Sequence, residues 1–217
     1  MYIRIQYERW GLVIQDRQSR FVVAHASGRR EETLATEAIR KAHARSQGRP
    51  VAWCSDGWRA YPKAITRAYY RQPVRTGRRG RPPLRVPEGL SLTQTLKRRD
   101  KRGRLLGVEV RATIGTAAEQ PVPVHIERLN GVLRDRLACL TRKTHAFAKS
   151  TSTWDALFEL ALFEHNWLRT HPALLSQLSS TVPGRCYDRR TPAMAIGLTD
   201  HRWSWQEFLT TKATVSS

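Results

Sequence analysis

The stretch PVAWCSDGW, Pro50 to Trp58, decides the fold class of this sequence. Pro50 to Cys54 is a short apolar run of the kind that forms a buried strand. An acid, Asp56, stands at its end, and Gly57 follows where the chain must turn. Working back, Glu31 to Arg45 sets Leu34, Ala35, Ala38, Ile39 and Ala42 on one helical face, and Gly48 to Pro50 stop that helix. Earlier still, WGLVI (Trp10 to Ile14) and FVVA (Phe21 to Ala24) are apolar runs separated by DRQSR (Asp16 to Arg20), which predicts a hairpin. Working forward, Tyr61 to Tyr70 predicts a helix and Leu105 to Ile114 alternates as a strand does. His125 to Lys149 predicts one long helix, with Ile126, Leu129, Leu133, Leu137 and Leu140 as its apolar stripe. Ser152 is expected to cap a further helix, Thr153 to Leu168. His171 to Arg190 reads as loop, and the tail, Thr191 to Leu209, holds two short helical turns started at Pro192 and near Ser204. Strands mixed with helices in this order predict an α/β fold around a central sheet.

The charge bounds the partners. The chain has 217 residues, with 38 Lys plus Arg against 18 Asp plus Glu, a formal net charge of +20. Such an excess repels itself and seeks a polyanion, and nucleic acid is the usual one. No run of about 18 apolar residues is present to span a membrane. Met1 to Trp10 has no apolar signal-peptide core, so a cytoplasmic, nucleoid-facing location is expected. Cys54, Cys139 and Cys186 are far apart and form no CxxC or CxxH pair, which argues against a zinc finger. The histidines form no ligand cluster in sequence and read as structural groups or DNA contacts.

The composition shifts at Arg71. From there to Arg104 the chain is rich in Arg, Lys, Gly and Pro and reads as a basic arm inserted into the core. The organisation expected is a first core part over 1–70, the arm over 71–104, a second core part over 105–168 and a tail over 169–217. Arg75, Arg78, Arg79, Arg81, Arg85, Lys97, Arg98 and Arg99 in the arm are candidates for phosphate contact. Arg142, Lys143 and Lys149 are further candidates. The run RRGRPP (Arg78 to Pro83) also has the form of a segment that enters a narrow minor groove. The arm lacks aromatics for stacking single-stranded bases.

Asp56 is a candidate metal-binding acid, because α/β folds place their sites at the carboxyl ends of strands. An Asp before a Gly equally suits a plain turn. Glu127, Asn130 and Arg134 lie on one face of the helix expected from His125. A carboxylate, an amide and a guanidinium in a row can hold a metal, orient a water and grip a phosphate. The same three residues also suit a solvated helix face, with Glu127 favoured near the helix N-terminus by the dipole.

Four blocks together resemble a known family: FVVAHASGR (Phe21 to Arg29), CSDGWRAY (Cys54 to Tyr61), IERLNGVLRDRLACL (Ile126 to Leu140) and TRKTHAFAKS (Thr141 to Ser150). In kind and order they resemble the bacterial DDE transposases of the insertion-sequence-one family, over roughly residues 9 to 150. The basic arm and the tail resemble a subgroup with a longer insertion. The resemblance implies an RNase H-like mixed sheet with flanking helices. It implies DNA transposition by metal-dependent strand cleavage and transfer, with three carboxylates holding two magnesium or manganese ions. Asp56 matches the second acid, Glu127 the third, Asn130 the amide and Arg134 the basic residue of the last motif. The implied partners are double-stranded DNA, at element ends and target, and further copies of the chain when active.

The first acid of the family lies on an opening strand before a segment like Trp10 to Ile14. Here Met1 to Arg9 carry one acid, Glu8, and Asp16 falls in the hairpin turn. The DNA-binding region expected at the N-terminus has no counterpart either. The resemblance therefore implies an N-terminally truncated copy that lacks its first strand, binds metal weakly and turns over slowly. Such a core is also expected to be marginally stable and to aggregate. A non-enzymatic DNA-binding remnant is the alternative expectation. A basic RNA-associated protein is a third, though charge alone would not explain the spacing of Asp56, Glu127 and Arg134.

Overall fold

The computed structural model describes residues 9–70, 86–117, 124–141, 145–146, 148–182 and 185–211. The fold is mixed α/β, and the chain divides into two units: Met1–Ile14 with Val23–Gly131, and Gln15–Val22 with Val132–Ser217.

In the first unit, β1 (Trp10–Gln15) and β2 (Val22–Gly28) form the expected hairpin. Helix α1 (Glu32–Arg45) follows and buries the expected face: Leu34, Ala35, Ala38, Ile39 and Ala42. It stops where Gln47 and Gly48 turn to positive φ and the Gly48 amide returns to the His43 carbonyl. β3 (Ala52–Asp56) and α2 (Ala60–Tyr69) come next. β4 (Ser91–Arg99) then pairs parallel to β3, with Asp56 beside Thr95, and β5 (Leu105–Ile114) pairs antiparallel to β4. Hairpin, helices and sheet share one core. Leu12 and Ala26 pack with Leu34 and Ile39 of α1, Ala64 and Ile65 of α2, and Leu90 and Leu92 before and within β4.

Strand β4 corrects the reading of 91–99 as part of the basic arm, whose residues 71–85 lie outside the described residues. Its residues 91–99 form the middle strand of the three-stranded sheet. The buried part of β4 is mostly polar, with Thr93 at 0 % and Gln94 at 6 % exposure beside Leu92, and its end is basic, so little of it looks like core in the sequence. The turn to β5 is closed by Asp100, whose Oδ1 accepts from the Arg102 and Arg104 amides. β5 has the predicted bounds but is exposed along nearly its whole length. After it, Gly115 sits at φ +61° against the Leu90 carbonyl.

Helix α3 (Val124–Arg136) is shorter than the long helix expected from 125–149. Leu137 is extended, and Ala138–Leu140 form a 3-10 turn that buries Cys139. The leucine spacing ran on past the break because a tight turn keeps Leu137 and Leu140 three apart, as a helix does.

The second unit holds α4 (Thr151–Phe163). Ser150, not Ser152, is the N-cap: it is extended, and its hydroxyl accepts from the Thr153 amide at 3.1 Å. The helix widens into a π turn over Glu164–Leu168, where the Arg169 amide reaches the Glu164 carbonyl. This turn presents His165 and Asn166 to the hairpin tip. Asn166 accepts from the Val22 amide at 2.8 Å and donates to the Val22 carbonyl at 3.1 Å, so one side chain binds both groups as a strand would. Asp16 has the turn role expected of it, accepting from the Ser19 amide and hydroxyl.

The segment read as loop over 171–190 contains a hairpin, β6 (Leu175–Val182) with β7 (Arg185–Arg189). Its polar composition hid the strand pattern. The two short helices of the tail appear where Pro192 and Ser204 place them: α5 (Pro192–Ala195), capped by Thr191, and α6 (Trp205–Thr210), capped by Ser204. Phe163, Trp167, Trp203 and Phe208 pack as an aromatic cluster that joins α4, the π turn and α6.

His165 gives this unit a pH dependence. Burial lowers its pKa, chiefly by desolvation, against the opposing pull of the Arg20 carbonyl that its Nε2 meets at 2.9 Å. A lowered folded pKa means that the unfolded chain takes up the proton first. Stability is therefore complete above the ordinary value of 6.5 and is lost as pH falls below it. The urea midpoint should drop between about pH 7.5 and pH 5.5, and the drop should be smaller in His165→Gln. Equal drops in the two proteins would remove His165 as the cause.

Candidate functional site

Asp56 is the last residue of β3, and its setting explains why it can face solvent. The buried Gln94 side chain of β4 clasps the turn beyond it. Gln94 Nε2 donates to the Asp56 carbonyl at 2.8 Å and the Trp58 carbonyl at 3.3 Å, and its Oε1 accepts from the Thr113 hydroxyl at 3.0 Å. Gly57 lets the turn close down on β4, since a β-carbon there would lie 2.5 Å from Leu96 Cδ2. The Asp56 carboxylate is exposed and accepts from the Trp58 amide at 3.1 Å. That bond is the turn role that the sequence also allowed, and it leaves the rest of the carboxylate open.

Glu127 lies in the first turn of α3. Its Oε1 is 3.7 Å from the Nζ of Lys97, with both side chains more than half exposed. Lys97 follows Thr95 by two residues, and Thr95 is the cross-strand neighbour of Asp56. Strand alternation puts Asp56, Thr95 and Lys97 on one face of the sheet. The fold thus brings Asp56 and Glu127 to the same end of β4, with a lysine between their elements. Asn130 is half-buried one turn beyond Glu127, and Arg134 is exposed a further turn along the helix.

The donor set can be tested against the two divalent ions that the resemblance calls for. Two exposed carboxylates are hard oxygen donors of the right kind. Glu127 already has an ammonium beside it. Among the described residues, no three His, Cys, Asp or Glu side chains converge on one point. These residues do not by themselves fit a two-ion centre. Glu8 lies outside the described residues.

Of the expected nucleic-acid contacts, Lys97, Arg98 and Arg99 are exposed at the end of β4, and Lys149 is exposed before α4. Arg75, Arg78, Arg79, Arg81, Arg85, Arg142 and Lys143 lie outside the described residues. No helix among the described residues is long and apolar enough to cross a membrane.

Sequence reasoning missed a second group beside Asp56. The Arg30 guanidinium carbon lies 4.9 Å from the ring centroid of Trp10 and 5.4 Å from that of Trp58. Tyr61 packs edge-on against Trp58 at 5.2 Å. Burial pushes the Tyr61 hydroxyl's pKa up, the Asp56 charge adds to the rise, and Arg30 opposes it. Trp10, Arg30, Asp56, Trp58 and Tyr61 therefore form one neighbourhood. The signal was an Arg between two apolar elements, which is too common to single out.

No protein-family model, curated protein or solved structure matches the chain.

Proposed function

We propose that this protein binds double-stranded DNA and descends from DDE transposases of the insertion-sequence-one kind. The observation that carries the reading is that Asp56 and Glu127 both lie against the same end of β4, Asp56 beside Thr95 and Glu127 against Lys97, next to the exposed run Lys97, Arg98 and Arg99. Acids at the ends of strands are expected at a phosphoryl-transfer site, and the cations beside them suit the strand being held. The parallel β3–β4 pair with Asp56 at its end, and an acid in the first turn of α3, support an RNase H-like core. The net charge of +20 supports a polyanionic partner. In this reading the chain works in the nucleoid, and magnesium or manganese and further copies of the chain belong to the active form.

A second reading has its own observation. Lys97 stands where a cation would serve Glu127. That suits a protein that holds DNA and no longer cuts it.

Fluorescence anisotropy with a labelled duplex, followed by a nicking assay in magnesium or manganese, tests the two together. Duplex affinity should fall steeply with salt. Asp56→Ala and Glu127→Ala should bind at least as well as the parent, because each removes a negative charge near the phosphates. Metal-dependent nicking that disappears in both variants supports the transposase reading. Intact binding without nicking supports the second. Absence of duplex binding, or a strong preference for RNA, overturns both.

A further inference from the structure

We propose that Arg30, held between Trp10 and Trp58 beside Asp56, grips a backbone phosphate of the DNA strand that passes the end of β3. The inference rests on the DNA reading above and adds a contact that the sequence motifs did not supply. The two indoles engage the guanidinium at 4.9 and 5.4 Å, within range of a cation–π contact on each ring. The guanidinium carries five N–H donors in a planar fork, the geometry that matches a phosphate. Arg30 is exposed, and no hydrogen bond or ion pair to another described residue uses those donors. The group is thus a planar cation set over two rings, with its hydrogen-bond donors unspent among the described residues. That is the form that suits a phosphate, because little ordering remains to be done on binding.

Its position adds to the argument. Arg30 lies two residues beyond the end of β2, and Trp58 is the residue whose amide binds the Asp56 carboxylate. The stack is therefore tied through Trp58 to the same turn that presents Asp56. A strand whose phosphate lay against Arg30 would pass next to that carboxylate. The charge of Arg30 would offset the repulsion between carboxylate and phosphate.

The test is anisotropy of a short labelled duplex across a salt series, with the full chain and two variants, Arg30→Gln and Arg30→Lys. Arg30→Gln is expected to bind about tenfold more weakly. Its salt dependence should flatten by about one unit of log–log slope, as the loss of one phosphate contact requires. Arg30→Lys should keep the slope and lose only part of the affinity, since it retains the charge without the flat fork. A parent chain that binds while Arg30→Gln matches its affinity and slope overturns the inference and leaves the DNA reading standing. So does weaker binding at unchanged slope, which would mark Arg30 as a packing residue. A parent chain that binds no duplex overturns the reading itself, and the inference with it. A melting curve checks each variant. If Arg30→Gln does not fold, Arg30→Lys carries the decision: affinity equal to the parent's counts against the stacked grip, and a partial loss at constant slope supports it.

Discussion

Replacing Asn166 with leucine is expected to cost the protein about 3 kcal/mol of stability. The side chain is buried, and so is Val22, whose backbone it serves. Its amide closes two hydrogen bonds at once, one to the Val22 N–H and one to the Val22 carbonyl. Leucine is close in volume, so the loss comes from polar groups and not from a cavity. Each backbone group left buried without a partner costs about 1–3 kcal/mol, far more than the bond contributes when made. The measurement is the urea midpoint, with hydrogen exchange at the Val22 amide as a local readout. An unchanged midpoint with Val22 still protected would mean that the π turn does not hold this strand.

A comparable loss, about 3 kcal/mol, is expected for Gly115→Ala. Two costs meet there. The backbone sits at φ +61°, which an L side chain rarely adopts, and a β-carbon would lie 2.5 Å from the Leu90 carbonyl oxygen. That oxygen belongs to the main chain at the entry to β4, so it cannot swing aside as a side chain could. Either β5 or the start of β4 must shift. Gly103 provides the control: its φ is +80°, but nothing lies within 4 Å of its β-carbon position. Gly103→Ala should cost only the dihedral part, about 1 kcal/mol. Similar losses at the two positions would show that the contact with Leu90 is not what restrains Gly115.

How far the sequence could be read follows from where each element's signal lies. The face of α1 was plain because five apolar residues repeat at helical spacing and all of them are buried. The bounds of β5 were plain because its alternation is a local property, even though the strand is exposed. β4 was hidden because two of its three buried positions, Thr93 and Gln94, are polar and only Leu92 is apolar; Gln94 lies inside where it clasps the turn after β3. Burial of that kind is set by a partner 38 residues away in the chain and leaves no mark on the local pattern. The site divides in the same way. The place of Asp56 at a strand end could be read from an apolar run followed by Gly57. The approach of Lys97 to Glu127, and of Trp10 and Trp58 to Arg30, depends on how separate elements pair, and no spacing within one element encodes that.

The open outer strand of the sheet has a practical consequence for any solution study. β5 shows Leu106, Val108 and Val110 to water along one side, at half exposure or more. It is also the terminal strand among those described, so its outward main chain is a template for further pairing. The net charge of +20 opposes such pairing, and that repulsion reaches only about 10 Å at 0.1 M ionic strength. In the proposed DNA-binding reading, added electrolyte therefore acts twice: it weakens the hold on DNA and lowers the barrier between chains. A salt titration of binding should be run with light scattering alongside, because colloidal loss of protein at the high-salt end would mimic a steeper release from DNA.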